Sequence, residues 1–203
     1  DPAGGEWHGW VFLCSFGKTA AMIRTTLLLL MLLIGFTEAN GASFSVQEVQ
    51  INKVDNGYRL NARIDYALSD KAHQALSNGV PLTMQVPLVV DKVWRGFWEP
   101  SPYAQTLWFQ IRYHALTELY RVVDMQSGEE QNFVTQEAAL YALGEINNLP
   151  LVRLVQLIPG EDYLLRLRAD LDIDSLPLPL QPLAYLGGGW KLTTGWSQWP
   201  LQP

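Results

Sequence analysis

From Tyr58 to Leu68 the chain alternates: Tyr58, Leu60, Ala62, Ile64, Tyr66 and Leu68 are interleaved with Arg59, Asn61, Arg63 and Asp65. A period of two, with one apolar and one charged face, predicts a half-buried strand. Phe44–Val54 reads as a second extended segment, and Asn56-Gly57 supplies the positive φ angles of a tight hairpin turn between them. Ser69 then caps a short predicted helix with Ala72, Ala75 and Leu76 on one face and Gly79 as its left-handed stop. Val80, Leu82, Met84, Val86, Leu88 and Val90 alternate again toward Trp94, with Pro81 and Pro87 on the opposite face. Proline donates no ladder hydrogen bond, so this strand is expected at a sheet edge or at a bulge.

Gly and Pro content predicts a loop over 94–102. Leu107, Phe109, Ile111, Tyr113 and Ala115 form one face of a further strand, Leu119–Met125 is extended, and Ser127-Gly128 is a turn. Thr135–Ile146 predicts a helix capped by Thr135, with Glu137 in its first turn and Ala139, Leu140, Leu143 and Ile146 on one side. Leu151–Ile158 is apolar and extended, followed by a Pro159-Gly160 turn. Tyr163, Leu165, Leu167, Ala169, Leu171 and Ile173 alternate with Arg166, Arg168, Asp170, Asp172 and Asp174, the cleanest strand pattern in the chain. Leu176–Pro182 reads as extended and polyproline-like, and Gly187–Gly189 as a turn before a last strand near Trp190–Trp196. The sum is a mainly β chain: an antiparallel β-sandwich, immunoglobulin-like in general architecture, with two short helices.

Composition places this pattern in a compartment. Hydrophobic residues make up 48% and charged residues 17%, a globular balance. Fourteen basic against twenty acidic residues give a net charge of −6, with no basic surplus to neutralise phosphates, so nucleic-acid partners are not expected. Met22, Arg24, the apolar run Leu27–Phe36 and the small residues Ala39–Ala42 follow the order of a secretory signal. The run is shorter than the about 20 apolar residues that span a bilayer, so cleavage rather than anchoring is expected. Residues 22–42 are therefore assigned to a signal peptide, 1–21 to upstream sequence outside the fold, and 43–203 to one exported, periplasmic domain. The one cysteine, Cys14, lies upstream, so that domain holds together by burial without disulfides, and no second long apolar run predicts a membrane span.

No catalytic set emerges. Past the leader there is no cysteine, no G-x-S-x-G elbow and no H-E-x-x-H, and His73 and His114 are far apart. His73 reads as a solvated helix residue, and His114 as a surface or interface histidine on the outward face of the 107–115 strand, near Arg112 and Glu118. Asp170, Asp172 and Asp174 are spaced like calcium ligands, but Ser175 and Gln181 stand where a calcium loop needs Gly and Glu. On one strand face these carboxylates would lie about 6.5–7 Å apart, too far for one ion, so a solvated face is expected. The three glycines precede Trp190-Lys191 with no phosphate-loop Lys-Ser/Thr pair. No catalytic, cofactor-binding or metal residue is assigned.

Tryptophan is the unusual feature: Trp94, Trp98, Trp108, Trp190, Trp196 and Trp199 gather in a proline-rich loop and at the C-terminal end. Such rings plug the ends of a sandwich, form an interface, or stack on sugars and acyl chains. Trp108 shares its strand phase with Gln110, Arg112 and His114, away from the Tyr113 face. Trp94, Trp98, Trp108, Arg112 and His114 are the expected interaction surface.

The order of several weak motifs is more specific than any one of them. Tyr58-x-Leu60-x-Ala62, Gly79-Val80-Pro81-Leu82, Trp94-Arg95, Tyr113-His114-Ala115-Leu116-x-x-x-Tyr120, Leu176-Pro177-x-Pro179-Leu180, Trp190 and Trp196-Ser197-x-Trp199 follow one another after the leader. Over nearly all of residues 44–201 the chain resembles the proteobacterial exported proteins grouped as domain of unknown function 4390. The resemblance brings no activity and no catalytic residue; it implies an envelope or inner-membrane partner, since members are often encoded beside a membrane sensor kinase. The function expected is that of a periplasmic, non-enzymatic interaction module of the cell envelope. A glycan- or lipid-binding module using exposed tryptophans is the alternative, and an envelope hydrolase stands third.

Overall fold

The computed structural model describes residues 43–54, 57–94, 97–153, 157–158 and 160–201, with the backbone alone at 94, 97–102 and 152–153. The expected hairpin opens the fold. Strand β1 (Phe44–Val54) pairs antiparallel with β2 (Gly57–Tyr66) from Phe44↔Tyr66 to Val54↔Gly57. Tyr58, Leu60, Ala62, Ile64 and Tyr66 turn inward, as the alternation requires. Strand β7 (Glu145–Arg153) adds to the other side of β2 and completes a three-stranded sheet, β1-β2-β7.

The second sheet has seven strands in the order β10-β8-β3-β4-β5-β6, with β9 also on β3. Its members are β3 (Leu82–Trp94), β4 (Phe97–His114), β5 (Leu119–Asp124), β6 (Glu130–Phe133), β8 (Asp162–Leu167), β9 (Asp170–Leu171) and β10 (Ser197–Leu201). All pairings are antiparallel. Leu82, Met84, Val86, Leu88 and Val90 of β3 and Leu165 and Leu167 of β8 join Leu60 and Ile64 of β2 in one buried cluster, so the two sheets share a core. The architecture is mainly β and sandwich-like, as the alternating segments indicate.

Tertiary structure overrides local signals in several places. Strand β3 is central, flanked by β4 and by β8 and β9, not at an edge; its one register irregularity lies between Val90 and Lys92. The backbone resolves the proline conflict differently. The Pro87 carbonyl accepts from Arg168 N at 3.2 Å, so its ring nitrogen faces the same neighbour and cannot return a bond. The partner strand stops there: what reads as one strand over 163–173 is split into β8 and β9, with 168–169 between them. Asp172 and Asp174 therefore leave the strand, and the three aspartates do not share one strand face.

The 94–102 segment is not a loop throughout: Lys92↔Glu99, Val93↔Trp98 and Trp94↔Phe97 extend the β3–β4 hairpin to its tip. Strand pairing across the tip outweighs the local Gly and Pro signal. Ala115 falls beyond β4, in the turn that leads to β5.

Helix α1 (Asp70–Ser77) is capped by Ser69, with Ala72, Ala75 and Leu76 buried and Gly79 at φ +80°. Helix α2 (Gln136–Leu143) is capped by Thr135 but ends three residues before Ile146, which joins β7. Gly144 is the reason: its carbonyl accepts from Ile64 N at 2.9 Å, drawing the chain onto β2. A third helix, α3 (Gln181–Leu186), and the turns before it replace the expected polyproline segment, with Pro182 in its first turn, where proline's fixed φ suits a helix. The last strand is Ser197–Leu201, beyond Trp190–Trp196, where Thr193 makes only an isolated bridge to Asp170. No helix among the described residues is long and apolar enough to cross a membrane.

Candidate functional site

Helix α3 stands on a clamped base. Gln181 Nε2 donates to the carbonyls of Asp174 (2.8 Å) and Leu176 (2.9 Å), and the Tyr185 hydroxyl donates to Asp174 Oδ1. That hydrogen bond, with the nearby carboxylates of Asp174 and Asp172, raises the Tyr185 phenol above its usual pKa. Leu176 and Ala184 anchor the inner side in the core, while Leu183, Tyr185 and Leu186 remain exposed, as does Leu178 in the preceding turn. Leu183 is 64% exposed and Leu186 91%, a concentration of apolar surface that a solvated domain does not normally keep without use.

Facing α3 is one stripe of α1. Lys71, Gln74, Ala75 and Asn78 follow i, i+3, i+4, i+7 spacing and therefore share one helix face. Between this stripe and Leu180, Leu183, Leu186 and Gly187 lies an open groove of ≈ 520 Å³, with Val80 and the buried ring of Trp190 also in its lining. That volume lies within the range of about 300–1,000 Å³ usual for small-molecule sites. The groove is walled by apolar carbon, with one ammonium, two side-chain amides and the Trp190 indole as the side-chain polar groups among the described residues of its lining.

The glycine turn 187–189 closes one end. Gly187 N donates to Leu183 O at 2.8 Å, and a Cβ on Gly187 would stand 2.5 Å from that oxygen, so a side chain is excluded. Lys71 Nζ donates to Gly188 O at 2.9 Å. Ser69 Oγ accepts from Ala72 N at 3.2 Å and donates to Gly189 O, so one hydroxyl caps α1 and ties it to the turn.

The five residues expected to form the interaction surface do not converge. Trp108, Arg112 and His114 lie along β4, on the face opposite the buried Leu107 and Ile111, and a separation of six residues spreads them over ~20 Å. Arg112 is exposed, whereas Trp108 and His114 are half-buried. Trp108 pairs with Gln85, Arg112 with Arg121 and His114 with Leu119. The side chains of Trp94 and Trp98 lie outside the described residues; their backbones sit at the far end of the β3–β4 hairpin.

Of the C-terminal tryptophans, Trp190 is buried and Trp199 packs partly against the core. Trp196 is 42% exposed beneath the guanidinium groups of Arg166 (4.6 Å) and Arg168 (4.9 Å). Those arginines pair with Asp91 (2.9 Å) and Asp170 (2.6 Å), so Asp170 is held by a cation of the protein. Asp172 Oδ1 accepts from Asp174 N at 3.1 Å, within a turn. His73 is exposed on α1, as expected.

The groove escaped the sequence reading because its α3 wall lies in a segment dominated by Pro177, Pro179 and Pro182. The usable signal was the three-residue spacing of Leu180, Leu183 and Leu186 around Pro182, a proline placed to start a helix.

No curated protein and no solved structure matches the chain. The sequence model of the family described as domain of unknown function (DUF4390) matches residues 41–200, and the chain belongs to that family.

Proposed function

We propose that this DUF4390 member is an exported, non-enzymatic binding module of the cell envelope that takes an apolar group of its ligand into the α1–α3 groove. The observation that carries this reading is the ≈ 520 Å³ groove bordered by the exposed Leu183 and Leu186. Export is supported by the Met22–Ala42 pattern of charge, apolar run and small residues. The resemblance to proteobacterial exported proteins supports a periplasmic location and an inner-membrane partner, such as a sensor kinase, to which occupancy is passed on. A binding role fits the groove's one lysine and two amides, which offer contacts but no nucleophile–base pair.

The test uses the neutral dye N-phenylnaphthylamine, whose emission rises in apolar surroundings. Wild-type protein is expected to enhance and blue-shift it, Leu183→Asp to lose the effect, and Leu116→Asp, a substitution in an exposed turn, to keep it. Equal emission from wild type and Leu183→Asp would sink the reading. N-terminal sequencing of periplasmic material checks export; recovery of the whole leader in the cytosol would contradict it.

One observation favours a second reading. Trp196 presents exposed ring surface beside arginines already neutralised by aspartates, a combination suited to stacking an uncharged sugar. Loss of glycan binding in Trp196→Ala, with dye binding intact, would support that surface instead.

A further inference from the structure

We infer that the ligand of the α1–α3 groove is a single-chain anionic amphiphile, a long-chain fatty acid, with its carboxylate on Lys71 and its alkyl chain along Leu183 and Leu186. The inference rests on the groove being the binding site and adds the ligand's charge, head group and chain number. Charge comes first. Among the described residues Lys71 is the one charged residue in the lining, and no acidic residue lines the groove, although the chain carries six more acids than bases. The charge carried by the lining itself is thus positive, which suits an anionic head group at that point.

The ammonium is also positioned. Its stem runs beside the glycine turn: a Cβ on Gly189 would lie 3.5 Å from Lys71 Cδ, and one on Gly187 would lie 3.6 Å from Nζ. One N–H goes to Gly188 O at 2.9 Å, which leaves two of the three ammonium donors for a carboxylate. No carboxylate of the described residues forms an ion pair with Lys71.

Size sets the chain number. At about 30 Å³ for each water-sized group, ≈ 520 Å³ holds roughly 17 such groups, one long alkyl chain with its head and not two. The lateral walls are leucine, valine, alanine and tryptophan carbon, which rewards an alkyl chain and leaves a polar chain without partners. A phosphate-headed lysolipid shares the charge but adds a glycerol linker, for which the lining offers only Gln74 and Asn78.

The experiment is calorimetric titration of the full chain with dodecanoate, methyl dodecanoate, dodecyltrimethylammonium and a lysophosphatidic acid, below their micelle concentrations. Dodecanoate is expected to bind about threefold to tenfold tighter than its ester, the increment of a charge-assisted contact at an exposed lysine. Within the Lys71→Gln variant acid and ester should bind equally, whatever the shared apolar affinity, and Lys71→Arg should retain the preference for the acid. Equal affinity for acid, ester and ammonium in the wild type would overturn the inference while leaving the groove as an apolar binding site. A lysolipid binding tighter than the fatty acid would also overturn it, as would a dimer that Leu183→Asp dissolves, since the groove would then belong to a second copy. Failure of every amphiphile and of the neutral dye would remove the binding-module reading itself.

Discussion

Gly144→Ala separates intrinsic helix preference from tertiary fit, because the two predict opposite signs. Gly144 ends α2 at φ −83°, ψ −7°, a conformation that alanine adopts without strain. Considered locally, replacing glycine there stabilises by about 0.4–1 kcal/mol through the unfolded chain. In the folded domain the added Cβ would stand 2.0 Å from Ile64 O and 3.1 Å from Ile64 C. Both atoms are backbone of a central strand, so no side chain can rotate away. Relief requires α2 to move off β2, which stretches the 2.9 Å bond from Ile64 N to Gly144 O. Overpacking costs about 1–3 kcal/mol and a weakened hydrogen bond about 1 kcal/mol; less the local gain of about 0.4–1 kcal/mol, the net loss is about 1–3.5 kcal/mol. At about 2–4 °C per kcal/mol for a domain of this size, the midpoint of thermal unfolding should fall by roughly 2–14 °C. Calorimetry and urea titration both report it. Gly188→Ala is the control, since a Cβ there meets nothing within 4 Å and no positive φ is needed; it should stay within about 0.5 kcal/mol of wild type. An unchanged or raised midpoint in Gly144→Ala would refute the α2–β2 junction.

Other predictions concern polar groups in the core and the helix caps. Tyr66 is buried with a hydroxyl that has no hydrogen-bond partner among the described residues, so Tyr66→Phe should raise stability by about 1 kcal/mol in urea titration. Burial, with the Asp170 charge, pushes the Tyr66 phenol well above its usual value. The folded state then holds its proton where the unfolded state has lost it, so wild-type stability should decline as pH rises above about 10, and Tyr66→Phe should flatten that decline. Arg166→Ala strips the partner from the buried Asp91 carboxylate and should cost about 3 kcal/mol, whereas Arg63→Ala, at the more exposed pair with Glu145, should cost under about 1 kcal/mol. Thr135→Ala removes the α2 cap, a loss of about 1 kcal/mol; Ser69→Ala should cost at least as much and also loosen the α1–glycine turn link, read as faster exchange of the Gly187 amide that Leu183 O holds.

What the sequence determined by itself was everything that depends on near neighbours. The alternation of Tyr58–Tyr66 and of Leu82–Val90, the Ser69 and Thr135 caps, the left-handed Gly79 and the Ser127-Gly128 turn all recur in the fold where local chemistry puts them. Strand periodicity is visible because burying one face is a requirement on every second residue. Only the tertiary structure decided what distant segments do to one another. Pro87 interrupts β8 and β9 across the sheet, Ile64 ends α2 through Gly144, and Gln181 and Tyr185 reach Asp174 to stand α3 upright. The groove belongs to this second kind. Lys71 and Leu183 are more than a hundred residues apart, and no local pattern encodes the hydrogen bond from Lys71 to Gly188 that sets them side by side.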